Sequence, residues 1–283
     1  MAIITISRGS FSHGKEIAEK VAARLGYECI SREVLIEASE FFNVPELKLT
    51  KSIHDAPGIL ERMTHGKERY ISYIRAALLQ HVKNDNVVYH GHAGHLLVPE
   101  FSNVLKVRIL AELDDRIALL QSKKKLSREQ AIAYIEKEDK QRAMWTKYLY
   151  NVDINDPKLY DLMIHIQRIT VDDAVEIICT AANSPSYKLD PKQKQEIIDL
   201  AIKSHAEAKL KGICDADVKV SNGVLYIRVK PGKIKKTGYS TPRMEEHIQE
   251  KIRDDLIRQV LEAVKDIPDV KDVECDIELP SYS

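Results

Sequence analysis

Hydrophobic and polar positions alternate along this chain in two distinct rhythms. Ile3 to Ile6 is a short, nearly unbroken apolar run, the pattern of a strand buried on both faces. From Gly14 to Leu25 the spacing lengthens. Ile17, Val21 and Leu25 recur every four residues with Ala18 and Ala22 beside them, which predicts an amphipathic helix. Gly26 follows, where a helix end favours a left-handed residue. Further helices are predicted over 32–42, 66–83, 114–122 and 127–147. The last of these opens on the capping-box spacing of Ser127 and Gln130. Strands are predicted at Asn86–Tyr89, Val104–Leu110 and Leu162–Ile166, and a closing helix at Val171–Ala182. Strands alternating with helices predict an α/β domain over 1–182, a parallel sheet with helices on both faces.

The rhythm breaks at 183–190, where Asn183-Ser184-Pro185-Ser186-Tyr187 reads as a linker. Residues 191–283 read as a small α+β domain. A helix over 191–211 precedes the runs Asp217–Val220 and Val224–Val229, which flank Ser221-Asn222-Gly223. Asn-Gly between apolar runs is a strong hairpin signal. A long helix over 243–265 and a strand over Val270–Ile277 complete it.

Composition narrows the class without choosing a function. The 283 residues suffice for two cores, and 44% hydrophobic with 30% charged residues is ordinary globular material. Lys+Arg and Asp+Glu both number 43, so whole-chain charge argues for no nucleic-acid partner. Cys29, Cys179, Cys214 and Cys275 form no C-x-x-C pair and read as free thiols in a reducing compartment. No apolar stretch is long enough to be transmembrane and the N-terminus has no signal-peptide pattern, so a cytoplasmic location is expected.

The candidate chemistry begins at Gly9-Ser10-Phe11-Ser12-His13-Gly14-Lys15, a G-x-x-x-x-G-K motif between a predicted strand and a predicted helix. Backbone N–H groups there and the helix N-terminus form a donor surface for phosphate oxygens. The glycines are expected to allow the tight turn, and Lys15 to reach the β- and γ-phosphates. Glu16 stands where a magnesium-binding Ser or Thr is usual. Its carboxylate either meets the metal, directly or through water, or complements the helix dipole; Ser12 or Ser10 is the alternative hydroxyl. His90, His92 and His95 fall in a predicted loop. They have two readings: a zinc-binding trio, or a loop beside an acceptor pocket.

Several stretches together resemble the cytidylate kinase-like family of P-loop nucleoside monophosphate kinases. They are Ile4-Thr5-Ile6-Ser7-Arg8-Gly9, Gly14-Lys15-Glu16-Ile17-Ala18, Ala23-Arg24-Leu25-Gly26-Tyr27, Val87-Val88-Tyr89-His90-Gly91, Val107-Arg108-Ile109-Leu110-Ala111, Glu138-Asp139-Lys140-Gln141-Arg142 and Asp156-Pro157-Lys158-Leu159-Tyr160-Asp161. The resemblance spans about 1–182 and implies ATP with Mg2+, and transfer to a nucleotide or similar small acceptor. Asp139 and Arg142 match the family's D-x-x-R lid motif. The resemblance gives Arg142 transition-state charge stabilisation and Arg116 a nucleotide-side place; each also has the plain reading of a solvated arginine. Relatives often carry Asp-Arg where this chain has Ser31-Arg32, and Gly-Arg where it has Gly91-His92. These acceptor-side departures point to a different acceptor or to none. A non-catalytic ATP sensor is therefore the competing reading.

The C-terminal order of elements resembles a BON domain, carried by Val218–Tyr226 and Ile267–Val273. That resemblance implies a binding module, with a protein, an anion or a membrane surface as partner. The basic run Lys230–Lys236 is either an anion-recognising loop or a solvated one. A scaffold role led by this domain is the third reading.

Overall fold

The computed structural model describes residues 2–54, 66–98, 101, 103–235 and 241–282. They form two compact units, Met1–Asp190 and Pro191–Ser283.

The first unit is a five-stranded parallel sheet in the order β2-β3-β1-β4-β5. Its strands are β1 (Ile3–Arg8), β2 (Glu28–Ile30), β3 (Val87–Tyr89), β4 (Val104–Ala111) and β5 (Leu162–Ile166). β1 lies in the middle, with β3 and β4 on either side and Ile4 level with Val88 and Leu105. Strand order reverses around β1, so a crevice opens beyond its C-terminal end, where open α/β sheets bind ligands.

Residues alternate across the sheet. Ile4 and Ile6 of β1, with Val107 and Ile109 of β4, pack against helices α1 (Gly14–Leu25) and α8 (Val171–Ala182). This core is apolar: Ile17, Val21, Ala174 and Ile178 supply the helix side and all are buried. Helices α2 (Glu33–Phe41), α3 (Glu46–His54), α4 (Gly66–Val82), α5 (Gly94–Leu97), α6 (Leu113–Lys123) and α7 (Arg128–Tyr150) complete the unit; α5 lies against β1, α2, α3 and α4 pack on one another, and α6 packs on α7. Trp145 of α7 is fully buried and its Nε1–H donates to the Ser52 carbonyl at 2.7 Å, which ties α7 to α3. The α7 capping box predicted at Ser127 and Gln130 is present.

Three elements were not expected from periodicity. β2 spans three residues, too few to show a period, and α3 falls in a stretch that reads as connection. The short helix α5 takes up Gly94 and His95, which were expected in a loop.

In the second unit, α9 (Pro191–Leu210) and α10 (Pro242–Val264) cover a mixed sheet of β6 (Ala216–Ser221), β7 (Val224–Val229) and β8 (Asp272–Ile277). β6 and β7 are antiparallel, whereas β8 runs parallel to β7. The hairpin turn is Asn222-Gly223, with φ of 53° and 83°. Asp199 of α9 accepts both turn N–H groups, at 2.7 and 2.9 Å. Ile202, Ala206, Leu225, Ile227 and Val260 centre the core. Of the basic run, Lys230 pairs with Glu278 at 3.8 Å, and Lys236 lies outside the described residues. Among the described residues no helix is long and apolar enough to cross a membrane.

Candidate functional site

The loop from Gly9 to His13 leaves the end of β1 and closes on the N-terminus of α1. Gly9 N–H donates to the Ile109 carbonyl at 3.1 Å, so the loop starts as a continuation of the sheet. The tight turning is done by Phe11 and His13, both left-handed with φ of 59° and 62°. The turn was expected to rest on the glycines, and here the structure differs. Gly14 answers a different need: a Cβ there would lie 2.7 Å from the Arg8 Cβ and 2.9 Å from its Cδ. Non-glycine residues held in the left-handed region are strained, and such strain collects at functional loops.

Each loop side chain has a defined place. The Phe11 ring meets Tyr134 edge-on with centroids 6.0 Å apart, and joins the small core between α6 and α7. Ser12 is buried, and its Oγ–H lies 2.9 Å from the Gly9 carbonyl and 3.1 Å from that of Ile109. That hydroxyl is thus committed to holding the loop rather than turned toward a metal. Ser10 N–H donates to Asp139 Oδ1 at 3.0 Å. Lys15 is 62% exposed and sits 3.5 Å from Glu19. Glu16 lies 3.3 Å from His13 Nδ1 and 3.2 Å from Lys20 Nζ. Burial pushes the Glu16 carboxyl up, but Lys20 and His13 outweigh it and hold it below its ordinary value. The loop, Lys15, Glu16 and Arg142 border a cavity of about 200 Å³.

Four arginines converge behind the loop. Arg116 of α6 donates through Nε to the Ser10 carbonyl at 2.7 Å and through Nη2 to Asp139. Asp139 therefore bridges Arg116 and the loop. Arg142, one turn further along α7, is half-buried rather than solvated; its Nη1–H donates to the Arg8 carbonyl at 2.9 Å. Burial lowers the Arg142 pKa, and Asp139 and Glu138 work against that. Arg108 of β4 is 5% exposed and has neutral partners: Ser7 Oγ at 3.2 Å, Asn155 Oδ1 at 3.1 Å and the Tyr160 hydroxyl at 3.4 Å. Arg8 ends β1. Neither Arg8 nor Arg108 was singled out from the sequence; the available signal for Arg8 was a cation closing an apolar strand directly before the loop.

Arg8 and Arg142 also border a second cavity, of about 190 Å³, on the side of β3. Ser31, Arg32, His90 and His92 line it, so the three acceptor-side residues are together. Arg32 donates through Nε and Nη2 to Glu46 Oε1 at 2.9 and 2.7 Å. Burial first, and Arg8 second, lower the His90 pKa to about 4, which leaves a neutral imidazole. The zinc reading of the three histidines does not hold. His92 packs edge-on against Trp145, and His95 turns into α5 beside the Tyr160 hydroxyl at 3.3 Å. Only His90 and His92 line the cavity, and among the described residues no group of three metal-binding side chains occurs.

A parallel sheet with β1 central, a strand–loop–helix turn at its C-terminal end and arginines gathered behind that turn define a P-loop kinase-type fold. The chain belongs to the cytidylate kinase-like family, whose model matches residues 3–168. It is similar to the cytidylate kinase of Saccharolobus islandicus (strain L.S.2.15 / Lassen #1), 25% identical over 198 residues, covering 70% of this chain and 99% of the relative. The cytidylate kinase of Pyrobaculum islandicum is 25% identical over 186 residues, covering 64% and 94%. Among solved structures, an uncharacterized protein from Eubacterium ventriosum matches with a TM-score of 0.51 at 18% identity, over 65% of this chain and 99% of that one. Family and fold together support a nucleotide-binding, kinase-type transferase.

Proposed function

We propose that the first unit is an ATP-dependent phosphotransferase that moves the γ-phosphate to a nucleoside monophosphate or a similar small acceptor. The observation that carries this reading is the placement of Arg142, which borders both the loop cavity and the cavity lined by Ser31, Arg32 and His92. Donor and acceptor phosphates then meet at one guanidinium. The amides of Phe11–Gly14 and the α1 N-terminus hold the triphosphate, since those of Gly9 and Ser10 are taken by Ile109 and Asp139, and Lys15 swings from Glu19 to its terminal phosphates. Magnesium, when bound with the nucleotide, neutralises phosphate charge. Glu16 is the exposed carboxylate that would hold it, and the Ser12 hydroxyl is already committed. Arg142 steadies charge on the transferring group, for which a planar fork suits better than a point charge. Such chemistry rests on positioning and electrostatics.

The second unit is read as a BON-like binding module, on the order helix, hairpin, helix, strand, with a protein, anionic or membrane-surface partner. A cytoplasmic site of action accords with this assignment.

Release of ADP, followed across a panel of nucleoside monophosphates, tests the activity. Turnover that falls on the order of 100- to 1000-fold in Lys15→Ala is the expected result. Tight ATP binding without turnover on any acceptor would favour the sensor reading, and no affinity for ATP would overturn both.

A further inference from the structure

We propose that Arg8 is a phosphate ligand at the seam between the two cavities, gripping the phosphoryl group in transit together with Arg142. Arg8 borders both the loop cavity and the acceptor-side cavity. Its aliphatic stem is laid across Gly14, where any side chain would displace it. Its carbonyl accepts Arg142 Nη1–H at 2.9 Å, so the two guanidinium-bearing residues are tied to each other by backbone and not by a carboxylate.

The charges around it are lopsided. Burial first, and Arg142 second, lower the Arg8 pKa to about 10. Glu19, which acts in the other direction, is paired with Lys15. Among the described residues no carboxylate forms an ion pair with Arg8, Arg108 or Arg142. Asp139, the acid that acts most strongly on Arg142, is spent on Arg116 and the Ser10 N–H. Arg108 keeps Nε without a hydrogen-bond partner, and so does Arg142. Half-buried and buried guanidiniums without a counter-charge are costly, and they persist where an anion completes them. A tetrahedral phosphate or a planar phosphoryl group in flight matches the fork of an arginine.

The anion site stands on this geometry alone; its part in transfer rests on the phosphotransferase reading. In that step the bond from the γ-phosphorus to the β–γ bridging oxygen breaks, and its electron pair leaves on ADP. A bond forms from phosphorus to an acceptor phosphate oxygen, and no proton need move. Arg8 and Arg142 hold the equatorial oxygens while charge shifts.

Calorimetric titration of the full chain with inorganic phosphate reads the site without turnover. Arg8→Met keeps the stem over Gly14 and removes the fork; phosphate affinity is expected to fall at least about tenfold, with Arg8→Lys intermediate. No phosphate binding by the wild type, or equal affinity in Arg8→Met, overturns the site. If Arg8→Met melts well below the wild type, Arg8→Lys decides instead: it retains the charge, and unchanged affinity there overturns the fork. In turnover, kcat of Arg8→Met is expected to drop on the order of 100-fold while KM for ATP stays within about threefold. An unchanged kcat overturns the transit role. If the wild type turns over no acceptor, the phosphotransferase reading fails, and the phosphate titration still decides the site.

Discussion

Asp139 accepts the N–H of Ser10 at 3.0 Å across 129 residues of chain, and this bond ties the helix that carries Arg142 to the phosphate loop, beside the Phe11–Tyr134 ring contact. Arg116 closes the arrangement by donating to the Asp139 carboxylate and to the Ser10 carbonyl. Loop, α6 and α7 are thus braced around one acid.

Asp139→Ala removes both bonds and is expected to cost about 1–2 kcal/mol in urea denaturation, the lower part of the range for charged partners because the group is partly exposed. Burial pushes the Asp139 carboxyl up, but the Ser10 N–H and Arg116 outweigh it and hold it below its usual range. Its contribution is therefore fully present above about pH 4, the unfolded value. It is lost as pH falls through the lower folded value. Equal acid unfolding of wild type and Asp139→Ala would contradict this brace.

Gly14→Ala places a methyl 2.7 Å from the Arg8 Cβ, an atom next to backbone that cannot swing away. Overpacking of this kind is expected to cost about 1–3 kcal/mol. The same change should weaken nucleotide binding, because Arg8 and the start of α1 must separate. A variant with wild-type denaturation midpoint and wild-type ATP affinity would show that the Arg8 stem is free to move.

Burial, followed by Arg108 and Lys106, lowers the His95 pKa to about 3, and His90 lies at about 4. Both titrate near 6.5 when unfolded, so the unfolded chain takes up their protons first as pH falls. Stability is fully present above about pH 6.5 and declines toward the folded values. His95→Gln cannot take up that proton and should flatten the decline in a series of urea denaturations at falling pH. Parallel curves for the two proteins would exclude His95 as a source.

How much of this was legible beforehand depends on the range of the interactions. The buried run of β1, the four-residue rhythm of α1 and the α7 capping box all follow from neighbours along the chain, and each appears where expected. α3 did not show itself. Its Leu49 and Ile53 are buried while Leu47 is 65% exposed, and Trp145 secures it through the Ser52 carbonyl. That support lies 93 residues away in sequence. Among site residues, the motif marked Lys15 and the loop. The histidine spacing suggested a metal site that the short helix α5 pulls apart.

The sequence by itself determined a glycine-bracketed strand–loop–helix turn, the alternation that makes a covered parallel sheet, and the Asn222-Gly223 hairpin, because backbone sterics and side-chain periodicity act over a few residues. Tertiary structure alone decided that Arg8, Arg108, Arg116 and Arg142 share one corner with Asp139. It also committed the Ser12 hydroxyl to the loop and left the His90 imidazole neutral. Those outcomes depend on desolvation and on Coulomb forces, which act through space and are set by whichever groups the folded sheet and helices bring within a few ångströms of one another.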